Sequence, residues 1–182
     1  DTTTDPTFIT SNTSAIPTGG SITGDAIGNI NTSLVRSLSS NITYTTTFNS
    51  PSNIEFVQNL AVPHTIVDGE SFSLSVGPSS KNITLIYLDN ALLIDDDFDG
   101  VYDNDITSFS SSEVRFKINP TPNGTTPFRL VANNVDEVTF IHFLNDLNND
   151  SSFSVNLSLT CFTLDSDGDG VPDSLDADSD ND

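Results

Sequence analysis

The sequence predicts an all-β protein, an antiparallel β-sandwich of jelly-roll or immunoglobulin-like type. Three observations carry this expectation. Apolar residues recur at every second position through most of residues 41–161, which is the period of a strand with one buried face. The runs are rich in Thr, Val, Ile and Phe, and clusters of Gly, Pro, Asn, Asp and Ser separate them, as short strands and their turns require. No stretch carries a long apolar stripe of helical period,. The chain has 182 residues, enough for one domain with a substantial core. The expected division is a β-sandwich domain over 1–162 and a separate acidic segment over 163–182.

Residues 1–32 are rich in Thr, Ser, Asn, Gly and Pro, with Thr7-Phe8-Ile9-Thr10 as an edge-strand candidate and Pro17-Thr18-Gly19-Gly20 as a turn,. Residues 33–38 fit a short helix or a strand. Ile42, Tyr44, Thr46 and Phe48 then alternate with Thr43, Thr45 and Thr47, and Ile54 and Phe56 flank Glu55. His64-Thr65-Ile66-Val67, Asp68-Gly69 and Ser71 to Val76 read as a hairpin on a two-residue turn,. Ile83 to Leu88 is apolar on both faces and reads as a central strand,. Val114, Phe116 and Ile118 alternate with Arg115 and Lys117; a loop at Asn123-Gly124 returns the chain to Phe128 to Val131. Val138 to Leu144 reads as a second two-faced strand. Phe153, Val155, Leu157, Leu159 and Cys161 line one face of the last strand. The total is roughly eight to ten short strands.

Charge is unevenly placed. Twenty-six acids against five bases give a net charge of −21. Six Asp lie in 95–105 and eight in 165–182. With no basic patch to meet phosphates, the charge argues against nucleic acid and anionic membranes as partners. No apolar run approaches the ~18 residues of a membrane helix, so direct membrane insertion is not expected. The single cysteine, Cys161, allows no intrachain disulfide,, and its place on an apolar strand face makes it a buried free thiol. The chain starts at Asp1 without Met and ends at Asp182 in the middle of an acidic rhythm; it reads as a mature or excised piece of a longer protein.

That rhythm is the most specific signal present. In Asp165-Ser166-Asp167-Gly168-Asp169-Gly170-Val171-Pro172-Asp173-Ser174-Leu175-Asp176, carboxylates fall at positions 1, 3, 5, 9 and 12 and glycine at position 6. This is the ligand spacing of an EF-hand-type calcium loop. Alternate residues of a curling loop aim oxygens at one point, the carbonyl of position 7 (Val171) adds another, and glycine permits the turn. No helical pattern flanks the loop, and Pro172 lies inside it. The stretch DSDGDGVPDSLDADSDND closely resembles the thrombospondin type 3 repeat in its cysteine-free bacterial form. The resemblance covers 18 residues. It implies calcium ions wrapped by an extended chain that acts as a stiff spacer between extracellular domains. By position, it implies Asp165, Asp167, Asp169, the Val171 carbonyl and Asp176 as ligands, with Asp173 direct or through water. Asp178, Asp180 and Asp182 would begin a second site.

The pattern occurs once more. Asp95, Asp97, Asp99, Gly100 and Asp103 match positions 1, 3, 5, 6 and 9, and Val101 matches position 7. Position 12 is Ile106, which binds no metal, so Asp105, Asp96 or a residue from elsewhere would close the shell,. Calcium (Ca2+) is therefore the expected cofactor.

Nothing points to catalysis. His64 and His142 are accompanied by no HExxH, GxSxG or paired-cysteine motif,, and both read as ordinary strand histidines. The expected function is a calcium-stabilised structural or adhesive module of a secreted or cell-surface protein. Its expected partners are neighbouring modules of the same chain or filament, or a surface glycan or protein. The alternative is a calcium-dependent carbohydrate-binding module appended to a secreted enzyme. The absence of Trp and the presence of only three Tyr supply that alternative poorly with stacking platforms.

Overall fold

The computed structural model describes residues 8–13, 16–24, 28–62, 64–86, 91–104, 109–120 and 128–161. Among these there is no helix, and hence none long and apolar enough to cross a membrane. Eleven strands form one antiparallel sheet: β1 (Phe8–Thr13), β2 (Ser21–Gly24), β3 (Asn29–Leu34), β4 (Ser37–Gln58), β5 (Glu70–Gly77), β6 (Ile83–Ile86), β7 (Leu92–Asp95), β8 (Ser110–Ser111), β9 (Glu113–Ile118), β10 (Arg129–Asp146) and β11 (Ser151–Cys161).

Two long strands organise the sheet. β4 and β10 run antiparallel along their whole length, from Arg129↔Val57 to Asp146↔Ser37. Register shifts between Ala132, Val135 and Glu137 interrupt the ladder near its middle, where Asn134 adopts φ 53° and its amide donates to Asn53 Oδ1. Bulges of this kind bend a strand, and Asn accepts a left-handed backbone more readily than most residues. Each side of the bend recruits different neighbours. Residues 44–48 pair with β1, and residues 137–144 pair with β5, which continues to β9 and β7. Residues 52–58 pair with β11, which continues to β3 and β2, while residues 129–132 pair with β6, which continues to β8.

Inward-facing rings of the two halves meet. Phe153 of β11 lies 4.3 Å from Phe72 of β5, and Phe56 of β4 lies 5.3 Å from Phe140 of β10. Together with Phe116, Leu74, Leu130, Val114 and Val155, all essentially solvent-free, these rings form the main core. A smaller cluster of Leu34, Ile42, Val67 and Leu144 sits beside it.

Several expectations change at the level of pairing. Residues 41–48 and 54–56 are not two strands, nor are 128–131 and 138–144: each pair is one bent strand. Residues 64–67 form no strand and pair with nothing as a hairpin; Ser71 to Val76 instead pairs with β10 and β9. The Asp68-Gly69 signal has a packing cause, because a Cβ on Gly69 would collide with the Asn145 carbonyl. Of the stretches read as two-faced, Thr84 is exposed between buried Ile83 and Leu85, and Phe143 is 41 % exposed; residues 87–88 lie outside the described residues. β2, β3 and β7 carry too few apolar residues, or too short a run, to register as periodic.

Candidate metal centre

The loop after β7 folds back over the outer face of the sheet. β7 pairs with β9 in the register Asp95↔Arg115. Asp103 then returns to Ile94, with both backbone hydrogen bonds of the bridge at 2.9 Å. The eight residues between are therefore held at both ends. Asp95 is 1 % exposed although it points to the outer face, because the loop covers it.

Inside the loop the carboxylates are fixed by backbone donors. The Asp99 amide donates to Asp95 Oδ1 (3.0 Å) and to Asp97 Oδ1 (3.2 Å). Gly100 donates to Asp95 Oδ2 at 3.1 Å, and Val101 donates to Asp99 Oδ1 at 2.7 Å. Each carboxylate oxygen has two lone-pair sites, so these bonds orient the groups and leave acceptor capacity free. One oxygen from each of Asp95, Asp97 and Asp99 lies within 4.8 Å of the others. Two oxygens on opposite sides of one calcium ion are at most about 5 Å apart, so the spacing fits. The donor set is all oxygen, which suits calcium or magnesium and not zinc or copper. No ion pair to a base is formed by these three residues among the described residues. Like charges at this separation repel by roughly 1–3 kcal/mol per pair, depending on the local dielectric.

The backbone explains the residue choice further. Phe98 (φ 59°) and Gly100 (φ 91°), at positions 4 and 6, are both left-handed. The C-terminal repeat carries Gly168 and Gly170 at the same two positions. A bulky residue in this region is strained by about 1–2 kcal/mol. The Phe98 ring lies 4.4 Å from the Arg115 guanidinium, a cation–π contact that offsets part of that cost,. Lys117 sits 5.0 Å from the Tyr102 ring, tying down the far side of the loop. A cavity of about 430 Å³ opens beside it, with Asp95, Gly100 and Tyr102 as one wall and Ser73, Arg115 and Phe143 on the sheet face.

Of the expected ligands, then, Asp95, Asp97 and Asp99 come together. Val101 is 57 % exposed, and the backbone of Asp103 is committed to the bridge. Asp105 lies outside the described residues, as do Asp165, Asp167, Asp169, Val171, Asp173, Asp176, Asp178, Asp180 and Asp182 and the side chain of Cys161. His142 is a strand residue as expected, but His64 is not: it belongs to the β4–β5 connection and its ring is buried against Phe72 and Phe153. The sequence carried no motif for that placement. Comparison with family models, with curated proteins and with solved structures found no match.

Proposed function

We propose that this chain is a calcium-stabilised structural or adhesive module of a secreted or cell-surface protein, with residues 163–182 as a calcium-rigidified spacer to the next module. The observation that carries the reading is the convergence of Asp95, Asp97 and Asp99, with no base among them, in a residue rhythm that recurs at 165–171. In this reading the two halves of the sheet, facing each other through Phe56, Phe72, Phe140 and Phe153, are the layers of a β-sandwich. Asp95, Asp97 and Asp99 would hold one ion. Asp165, Asp167, Asp169, Asp173, Asp176 and the Val171 carbonyl would hold another, and Asp178, Asp180 and Asp182 would open a third site. Calcium supplies charge neutralisation and cross-linking of turns, without which eight Asp in the tail repel one another. The role is presentation of a surface at a distance, and its partners are neighbouring modules or a surface glycan or protein.

Small-angle scattering tests this on the chain extended by a second module after Asp182. The expected result is a longer and narrower distance distribution in calcium than in EDTA. Equally broad distributions in both would sink the spacer reading. A second reading, a calcium-dependent carbohydrate-binding module, is favoured by the cavity that Asp95, Tyr102 and Phe143 share. A glycan array probed with and without calcium separates the two: calcium-dependent binding to a defined glycan supports the second.

A further inference from the structure

Between the main core and the Leu34–Ile42–Val67–Leu144 cluster lies a closed polar layer. Thr32 of β3, Glu70 of β5, His142 of β10 and Ser151 of β11 are each at most 3 % exposed, and the His64 side chain is equally buried. Register explains the layer: His142 lies opposite Phe72 and Leu144 opposite Glu70, while on β3 Thr32 and Leu34 face Phe153 and Ser151. The five side chains form one unbroken line of hydrogen bonds.

Counting protons along this line fixes their positions. Ser151 donates its hydroxyl to Glu70 Oε2 at 2.6 Å. His142 Nε2, 2.8 Å from that same hydroxyl, must then donate to it; its Nδ1 lies 2.8 Å from the Thr32 hydroxyl, whose other acceptor, the Phe153 carbonyl, is farther at 3.5 Å, so Thr32 donates to Nδ1. His142 is thus a neutral Nε2–H imidazole; burial, and then the charge of His64, hold it down at about 3. The line therefore resembles a nucleophile chain only in composition, since the Ser151 proton goes to the carboxylate and not to the imidazole. His64 is different. Its Nδ1 lies 2.8 Å from the Ser152 carbonyl and its Nε2 lies 2.8 Å from Glu70 Oε1. Both partners are acceptors, so the His64–Glu70 pair holds one proton more than a neutral imidazole beside a carboxylate. The Val67 amide also donates to Glu70 Oε1, at 3.3 Å.

We propose that the His64–Glu70 pair is a proton-operated latch: protonated, it pins the β4–β5 connection against β11, and deprotonated, it lets that connection go. Loss of the proton leaves a nitrogen lone pair of His64 facing an oxygen lone pair of Ser152 or Glu70 in a water-poor site, where an unpaired polar contact is costly. The connection is the segment that gives way, because His64 and Val67 are its anchors into the layer. Val62 of the same connection walls a cavity of about 210 Å³ with Thr32, Ser152 and Phe153, so release uncovers the polar layer from that side. Burial pulls the His64 imidazole down, and the hydrogen bond and charge of Glu70 with the Ser152 carbonyl outweigh it, leaving it above its ordinary 6.5. The stabilisation is therefore complete below 6.5 and is lost as pH rises through the folded value,. On the outer side of the connection stand Arg36, Asp68, Asp146 and Asp150, and Lys117 Nζ donates to the Asp68 carbonyl. Among the described residues, none of these side chains hydrogen-bonds either histidine.

Nitrogen-15 spectra of the two imidazoles in the whole chain, with amide exchange at Val67, test the latch. At about pH 6 His64 is expected to carry protons on both nitrogens, and His142 on Nε2 alone. As pH rises through the His64 titration, the Val67 amide should exchange roughly tenfold or more faster than its chemical rate alone predicts, while core amides of β5 and β11 stay protected. A singly protonated His64 at about pH 6 overturns the proposal. So does Val67 protection that ignores the titration, or loss of protection throughout the core in step with it. Glu70→Gln should leave the connection released already at the lower pH; should that variant not fold, the wild-type spectra decide alone.

Discussion

The 95–103 loop and the buried polar layer are both clusters of carboxylates and donors, and they end in opposite conditions. The layer contains its own cation: Glu70 is met by His64, Ser151 and Val67, and every oxygen has its donor. The loop contains none. Arg115, opposite Asp95 in the strand register, is engaged with Glu113 at 3.1 Å and with the Phe98 ring. Among the described residues, Asp95, Asp97 and Asp99 face each other with backbone amides as their hydrogen-bond donors. A charged cluster closed by its own counter-charge needs no ion from outside, whereas an open one has acceptor oxygens to offer to the calcium proposed above. Burial separates the two in part: water would dilute an imidazolium–carboxylate pair at the surface, and in the loop only Asp95 is buried, held by the Asp99 and Gly100 amides, while Asp97 and Asp99 stay exposed.

Perturbing each cluster sharpens the contrast. The largest effect is expected from Glu70→Ala, which leaves a buried imidazolium, a hydroxyl and an amide without their acceptor. Breaking such a pair costs about 3–5 kcal/mol, to be read by denaturant unfolding; a cost under ~1 kcal/mol would mean the layer is not a closed network. Next comes calcium. At a hundredfold excess over its dissociation constant, one site adds about 2.7 kcal/mol, a rise of roughly 5–11 °C in the melting midpoint for a chain of this size. Identical midpoints in EDTA and calcium would remove the structural-calcium claim. Asp97→Ala should abolish the part of the rise that belongs to the sheet while leaving Glu70 and His64 undisturbed.

A smaller effect lies on the acid side. His142 is held at about 3 while the unfolded chain takes up a proton near 6.5, so its contribution is present above 6.5 and declines as pH falls,. Between about pH 6.5 and 4.5 that amounts to about 2 kcal/mol. Melts of the native chain and of His142→Asn over this range should differ in slope, and parallel curves would show that the ring is not buried neutral. With His64 acting in the opposite sense, stability from the layer should peak near neutrality. The smallest expected effect is Phe98→Gly. It removes a strained backbone and a cation–π contact together, and the two nearly cancel to within about 1 kcal/mol; a loss of several kcal/mol in calorimetry would make the Phe98 ring a main support of the loop.

The all-β class was legible because burial on one face of a strand forces a two-residue period, as in Phe72, Leu74 and Val76 or Val114, Phe116 and Ile118,. The acidic loop was legible for a similar reason: carboxylates spaced along a tight turn leave a local signature, and Asp95, Asp97 and Asp99 do meet. What the sequence left open depends on contacts between distant residues. The bend at Asn134 makes one strand of two expected ones, and no local pattern distinguishes a bulge from a turn when Asn and Pro mark both. The collision that reserves Gly69 for glycine involves Asn145. The polar layer joins His64 to residues 70, 142, 151 and 152 and His142 to Thr32, and none of those positions is marked by spacing. By itself the sequence determined which residues turn inward and where oxygens cluster, because those follow from the geometry of neighbours along the chain. Only the tertiary structure decided which charge meets a counter-charge, because hydrogen-bond partners are chosen across strands, where separation along the chain carries no information.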